Sequence, residues 1–170
     1  MTKRNYHLDN VKFILITLVS IGHFISQQLT NQTFLNNLFF FIYMFHMPLF
    51  IFISGYFSKS FYNDGKIKIE KIINFLILFF VFQIINNLIL GDNITMVQLS
   101  NISWYIFATV IWMCTIPFIS NLKPKYVLAI ALFLAIMSGF DKTATNAFAI
   151  ARIVNYYPFF LLGYYCSKET

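Results

Sequence analysis

The sequence predicts an all-α fold, a polytopic transmembrane helix bundle of about six spans with both chain ends on the inner side of the membrane. Three observations predict it. Of the 170 residues, 59% are hydrophobic and 11% charged, less than half the roughly 25% charge of a soluble domain. The apolar residues fall into runs close to the roughly 20 residues that cross about 30 Å of hydrocarbon. With the N-terminus inside, Lys3, Arg4, Lys12, Lys59, Lys66, Lys68, Lys71, Lys123, Lys125 and Lys168 fall on the inner side, and only Lys142 and Arg152 on the outer. Cytoplasmic loops retain Lys and Arg, so this imbalance sets the orientation.

The runs cover residues 11–28, 36–57, 72–90, 102–120, 126–140 and 147–165, in a single membrane domain over residues 1–170. They are continuous and rich in Leu, Ile and Phe rather than alternating, which favours helices over barrel strands. The first run follows a basic start, and Ser20 and Gly22 offer small residues ahead of a cleavage point before His23. The chain stays apolar beyond that point, so the run is read as a span and not a removable leader. The second run, FLNNLFFFIYMFHMPLFIFISGYFSK from residue 34 to 59, holds His46 at its middle and Ser54-Gly55 near its end. Between the second and third runs lies SKSFYNDGKIKIEK, with a turn expected at Asn63-Asp64-Gly65. The fifth run is short and ends at Gly139. Pro48, Pro117 and Pro158 each free a carbonyl within a span, which opens a cavity or simply kinks a helix. Cys114 and Cys166 lack metal-like spacing and are expected as small buried hydrophobes. Triplets of the glycosylation type occur at Asn31, Asn93 and Asn101.

The candidate chemistry lies in the first two spans. Lys12 and His23 are eleven residues apart, which returns them to one helical face about 16 Å apart along the axis. Asp9, Lys12, Ile16, Val19 and His23 form that stripe. His23 should lie about 18 Å from the inner surface and His46 about 15 Å from the outer, so antiparallel neighbours place both in one polar layer. Ionisable residues within a span are costly and mark function by default, and neutral imidazoles suit proton transfer. The plainer alternative is that each histidine bonds a carbonyl or a Ser/Asn and holds helices together. Lys12 either snorkels to the headgroups or meets an anionic substrate, with Asp9 paired to it or capping the helix. Arg152 snorkels or faces the cavity. Trp104, Tyr105 and Trp112 are read as belt or packing residues. No third His or Cys ligand has suitable spacing, so no metal is expected, and the spread of the lysines gives no nucleic-acid footprint.

Four stretches carry a resemblance: RNYHLDNVKFILITLVSIGH at 4–23, FIYMFHMPLFIFISGYFSK at 41–59, SWYIFATVIW at 103–112 and ARIVNYYPFFLLGYY at 151–165. In order and spacing they resemble the acyltransferase 3 family of membrane O-acyltransferases, in particular its fucose 4-O-acetylase-like branch. The resemblance implies transfer of an acyl group, usually acetyl, from cytosolic acyl-CoA to a hydroxyl of a cell-surface or lipid-linked carbohydrate, by a multi-pass protein of the cell membrane. It implies Lys12 as the contact for a CoA phosphate, where the family commonly has arginine with its bidentate fork, and His23 as the catalytic base. His46, Ser54, Gly55 and Arg152 match recurring positions: His46 as a second catalytic histidine, Arg152 toward the cofactor, Ser54 and Gly55 in support, with Ser54 also a candidate acyl-carrying nucleophile. Family members continue for further helices beyond the last block. The chain is thus expected to correspond to the N-terminal portion of the domain, with a second half or second copy completing the cavity. The alternatives are a transporter or flippase half, which would move substrate without consuming acyl-CoA, and an inactive remnant of the enzyme.

Overall fold

The computed structural model describes residues 6–27, 33–63, 66–90, 99, 103–140 and 149–166. The sites at Asn31, Asn93 and Asn101 lie outside them. Within them the chain forms α1 (Tyr6–Gln27), α2 (Thr33–Ser58), α3 (Ile69–Leu90), α4 (Ser103–Ile119), α5 (Pro124–Phe140) and α6 (Ile150–Tyr165). Each helix overlays one apolar run, with ends shifted by at most five residues. By length and composition, Asp9–Ser26, Thr33–Phe61 and Ile69–Ile89 are long and apolar enough to cross a membrane. The helices α4 and α5 have 17 residues each, about 25 Å at 1.5 Å per residue, and α6 has 16. Pro124 opens α5 at a first-turn position, where a missing N–H costs nothing.

A short connection joins α2 to α3. Lys59–Phe61 form a 3-10 turn, and β1 (Tyr62–Asn63) pairs antiparallel with β2 (Lys66–Ile67), Tyr62 opposite Ile67 and Asn63 opposite Lys66. Residues 64 and 65 of the expected turn lie outside the described residues.

The helix α2 is the centre of the bundle, packed on α1 along one side and on α6 along another, while α3 packs on α4 and α5 on α6. Where α2 meets α6, glycines let the backbones touch. A Cβ on Gly55 would fall onto the Phe160 carbonyl, and one on Gly163 onto that of Phe52, with the Tyr56 nitrogen at 2.9 Å. Small residues allow such approach in membranes, where association relies on close packing. Around this crossing lies the core of Ile51, Trp104, Trp112, Ile116 and Phe160. Val127 and Ala131, one turn apart on α5, close a smaller cluster on Leu161.

Outward faces are apolar. Phe24 is 69% exposed, Ile89 76% and Phe118 79%, the inverse of a water-soluble surface and the pattern expected against lipid. Cys114 and Cys166 are both exposed rather than buried. Cys114 lies on the side of α4 away from the core residues Trp112, Met113 and Ile116, and Cys166 follows the last turn of α6.

Gly163→Ala is expected to destabilise the bundle by about 1–3 kcal/mol through overpacking. Gly139→Ala, with nothing within 4 Å of its Cβ, should stabilise by about 1 kcal/mol through helix propensity. Unfolding titrations of the two variants in mixed micelles measure both.

Candidate functional site

A partly open cavity of about 380 Å³ is lined by residues of the first four helices, within the size range of ligand sites. Lys12 and Ile16 come from α1, Phe50, Ser54, Phe57 and Ser58 from α2, Lys71 and Asn74 from α3, and Tyr105, Thr109 and Met113 from α4. Two ammonium groups therefore share it. Lys12 Nζ lies 3.5 Å from the centroid of Phe57, a cation–π contact that holds the charge at the wall of the cavity. Lys71 Nζ donates to Ser60 Oγ at 2.7 Å. Two cations beside Asn74 and Ser58 suit an anionic ligand such as a phosphate. The sequence predicts Lys71 only as a loop lysine that sets orientation, and no signal along the chain distinguishes it from its neighbours Lys66 and Lys68.

On α1 the residues packed inward are Leu15, Gly22 and Ile25, so the stripe of Lys12, Ile16, Val19 and His23 runs beside the packed seam and not along it. Asp9 lies in the first turn of α1, not ahead of it. A carboxylate in the first turn is favourable to the helix dipole.

Ser54 is tied into the cavity wall. Its Oγ donates to the Phe50 carbonyl at 2.9 Å and lies 2.5 Å from the Tyr105 hydroxyl. Neither partner is a base, so Ser54 lacks the activation an acyl-carrying nucleophile needs. Gly55 serves the crossing with α6. Tyr105, read from the sequence as a packing residue, lines the cavity.

The histidines lie apart from this cavity. Gly22 packs against Tyr43 and Ile42 while Lys12 covers Phe57, so α1 and α2 run antiparallel and His23 comes level with the stretch containing His46. The two rings are within electrostatic range of each other. His46 is 2% exposed, and its Nδ1 lies 2.6 Å from the Ile42 carbonyl. A carbonyl only accepts, so Nδ1 donates, and in the neutral ring Nε2 then carries the lone pair. His46 thus both bonds the backbone of its own helix and retains a base. Its ring meets Tyr43 edge-on at 4.7 Å, and Tyr43 and Arg152 both lie within electrostatic reach of Tyr156.

Arg152 does not share the cavity with Lys12. Its guanidinium lies 5.6 Å from the Trp104 ring centroid, and Tyr156 stacks on Trp104 at 5.7 Å. The bundle therefore has a lysine end, with Lys12, Lys59 and Lys71, and an arginine end, with the histidines between. Lys59 Nζ donates to the Cys166 carbonyl, a cation at a helix C-terminus. Trp112 is 1% exposed and donates to the Ile153 carbonyl at 3.1 Å, which is a packing role.

A family model for the acyltransferase domain, acyltransferase 3, matches residues 5–169. The chain belongs to the acyltransferase 3 family. Among curated proteins, nodulation protein NolL of Mesorhizobium japonicum is 50% identical over 60 residues, which are 34% of this chain and 16% of that protein. Nodulation protein NolL of Sinorhizobium fredii is 45% identical over 60 residues, with the same shares. This acyltransferase 3 chain, at 170 residues, thus spans less than half the length of these relatives. No solved structure matches.

Arg152→Gln in this acyltransferase 3 chain should cost about 0.5–1 kcal/mol, the value of an exposed cation–π contact. Unfolding followed by tryptophan emission tests this, and a loss several times larger would contradict a surface role on Trp104.

Proposed function

We propose that the chain forms the acyl-donor side of a membrane O-acyltransferase. It would pass an acyl group, acetyl in the simplest case, from cytosolic acyl-CoA to a hydroxyl of a cell-surface or lipid-linked carbohydrate. The observation that carries this reading is the cavity holding Lys12 and Lys71 together in a chain of the acyltransferase 3 family. With the lysine end inside, as the distribution of basic residues favours, the cavity opens toward cytosolic acyl-CoA in the plasma membrane.

In this reading Lys12 and Lys71 hold CoA phosphates as point charges. His23, about 16 Å further along α1, is where the long pantetheine arm would deliver the thioester. His23 takes the proton from the acceptor hydroxyl as its oxygen attacks the thioester carbonyl. The carbon–sulfur bond then breaks, and the CoA thiolate leaves and is protonated. His46, with Nε2 unprotonated, stands beside His23 as the second base of the layer. Arg152 is assigned to the aromatic stack at the opposite end and not to the cofactor. The acceptor side would be completed by a second half or a second copy of the chain.

His23→Ala should lower acyl transfer by about 10²–10⁴-fold, the range for a general base, with unchanged accumulation in the membrane. Undiminished transfer from radiolabelled acetyl-CoA would remove His23 from the mechanism. Lys12→Ala and Lys71→Ala should each raise KM for acyl-CoA about tenfold, in keeping with a charge-assisted contact, and leave KM for the acceptor unmoved. Equal rises in both constants would count against the phosphate role.

A further inference from the structure

Phe50, Ser54 and Tyr105 form one wall of the cavity, and the hydrogen bonding within that wall is determined. Ser54 has a single hydroxyl hydrogen, and it goes to the Phe50 carbonyl at 2.9 Å, which only accepts. Tyr105, 2.5 Å away, must then be the donor to Ser54. The Tyr105 ring also meets Phe50 edge-on at 5.2 Å, and Thr109 Oγ1 donates to the Tyr105 carbonyl at 2.8 Å, which pins the start of α4. Along α2 this wall lies between Phe57, under the Lys12 ammonium, and His46. Neither His23 nor His46 lines the cavity.

We propose that the hydrogen bond from Tyr105 to Ser54 is a latch that closes the lysine-lined cavity against the histidine layer. It must open before a thioester held at Lys12 and Lys71 can reach His23. The inference rests on the acyl-donor reading for its purpose, but the latch itself is a property of the wall. Opening is an exchange and not a loss, because an entering carbonyl oxygen can accept the Tyr105 proton that Ser54 gives up, leaving no unpaired donor in an apolar medium. Tyr105 is thus a positioning residue, which acts by admitting the donor to the histidines.

Among the described residues a second tyrosine–hydroxyl pair joins two helices. Tyr157 of α6 and Thr115 of α4 share a hydroxyl contact of 2.7 Å, and neither residue lines the cavity. That pair is the control for general loosening. The probe site is Met47→Cys, beside His46 and packed partly buried against the core, in a background with Cys114→Ser and Cys166→Ser. A small, anionic, membrane-impermeant methanethiosulfonate is added to the face of sealed vesicles that carries the 59–71 connection.

Modification at position 47 is expected to be slow with the latch intact and at least tenfold faster in both Tyr105→Phe and Ser54→Ala. Ser54→Thr, which restores the hydroxyl, should return the slow rate, and Tyr157→Phe should leave it unchanged. An unaltered rate in Tyr105→Phe would overturn the latch, as would equal acceleration in Tyr157→Phe. In the same vesicles, acyl-CoA should protect position 47 in the opened variants. Acceleration by Tyr105→Phe without protection would uphold the latch and remove acyl-CoA as the occupant.

Discussion

The contact on which the bundle depends is the glycine crossing of α2 and α6. Lipid supplies no hydrophobic drive to bring two apolar helices together, so the association rests on how closely backbones approach. A Cβ at Gly55 or at Gly163 would fall onto the facing backbone and force the helices apart. The crossing sets Phe160 against Trp112 at 5.4 Å and brings Lys59 to the carbonyl of Cys166. It also fixes α4, which packs its Trp112 onto the α6 backbone and reaches Ser54 of α2 with Tyr105. Both the cavity wall and the aromatic stack at the arginine end therefore inherit their geometry from one approach of two backbones.

The polar groups separate into two levels, and the separation has chemical sense. Anionic groups are best held where ammonium groups keep contact with water, at a helix end. Proton transfer needs a site where imidazoles stay neutral and solvent is excluded. Lys12 and Lys71 line the cavity, whereas His46, 2% exposed, lies outside it. Phe50, Ser54 and Tyr105 line the cavity on the stretch of α2 between Phe57 and His46.

Basic residues were the hardest to read. Charge retention in cytoplasmic loops would account for every lysine at the lysine end, so the charge pattern along the chain does not single out the two that line the cavity. Arg152 shows the reverse case. The resemblance points it toward the cofactor, and the structure places it over Trp104, away from the cavity.

Hydropathy alone carries the six helices and their approximate bounds, and helical periodicity carries the stripe from Lys12 to His23, because these follow from pattern and length along one chain. Even the common depth of His23 and His46 is readable, since a short connection makes neighbouring helices antiparallel. What the chain could not reveal is which faces meet. Leu, Ile and Phe occupy lipid-facing and packed positions alike, so apolarity, the usual marker of burial, carries no contrast in α3 or α5. Contacts between distant elements, such as Lys71 joining Lys12, Tyr105 reaching Ser54 and Gly163 closing on Phe52, arise only when helices pack. They depend on side-chain shape and backbone approach across α1 to α6, quantities that no one-dimensional pattern encodes.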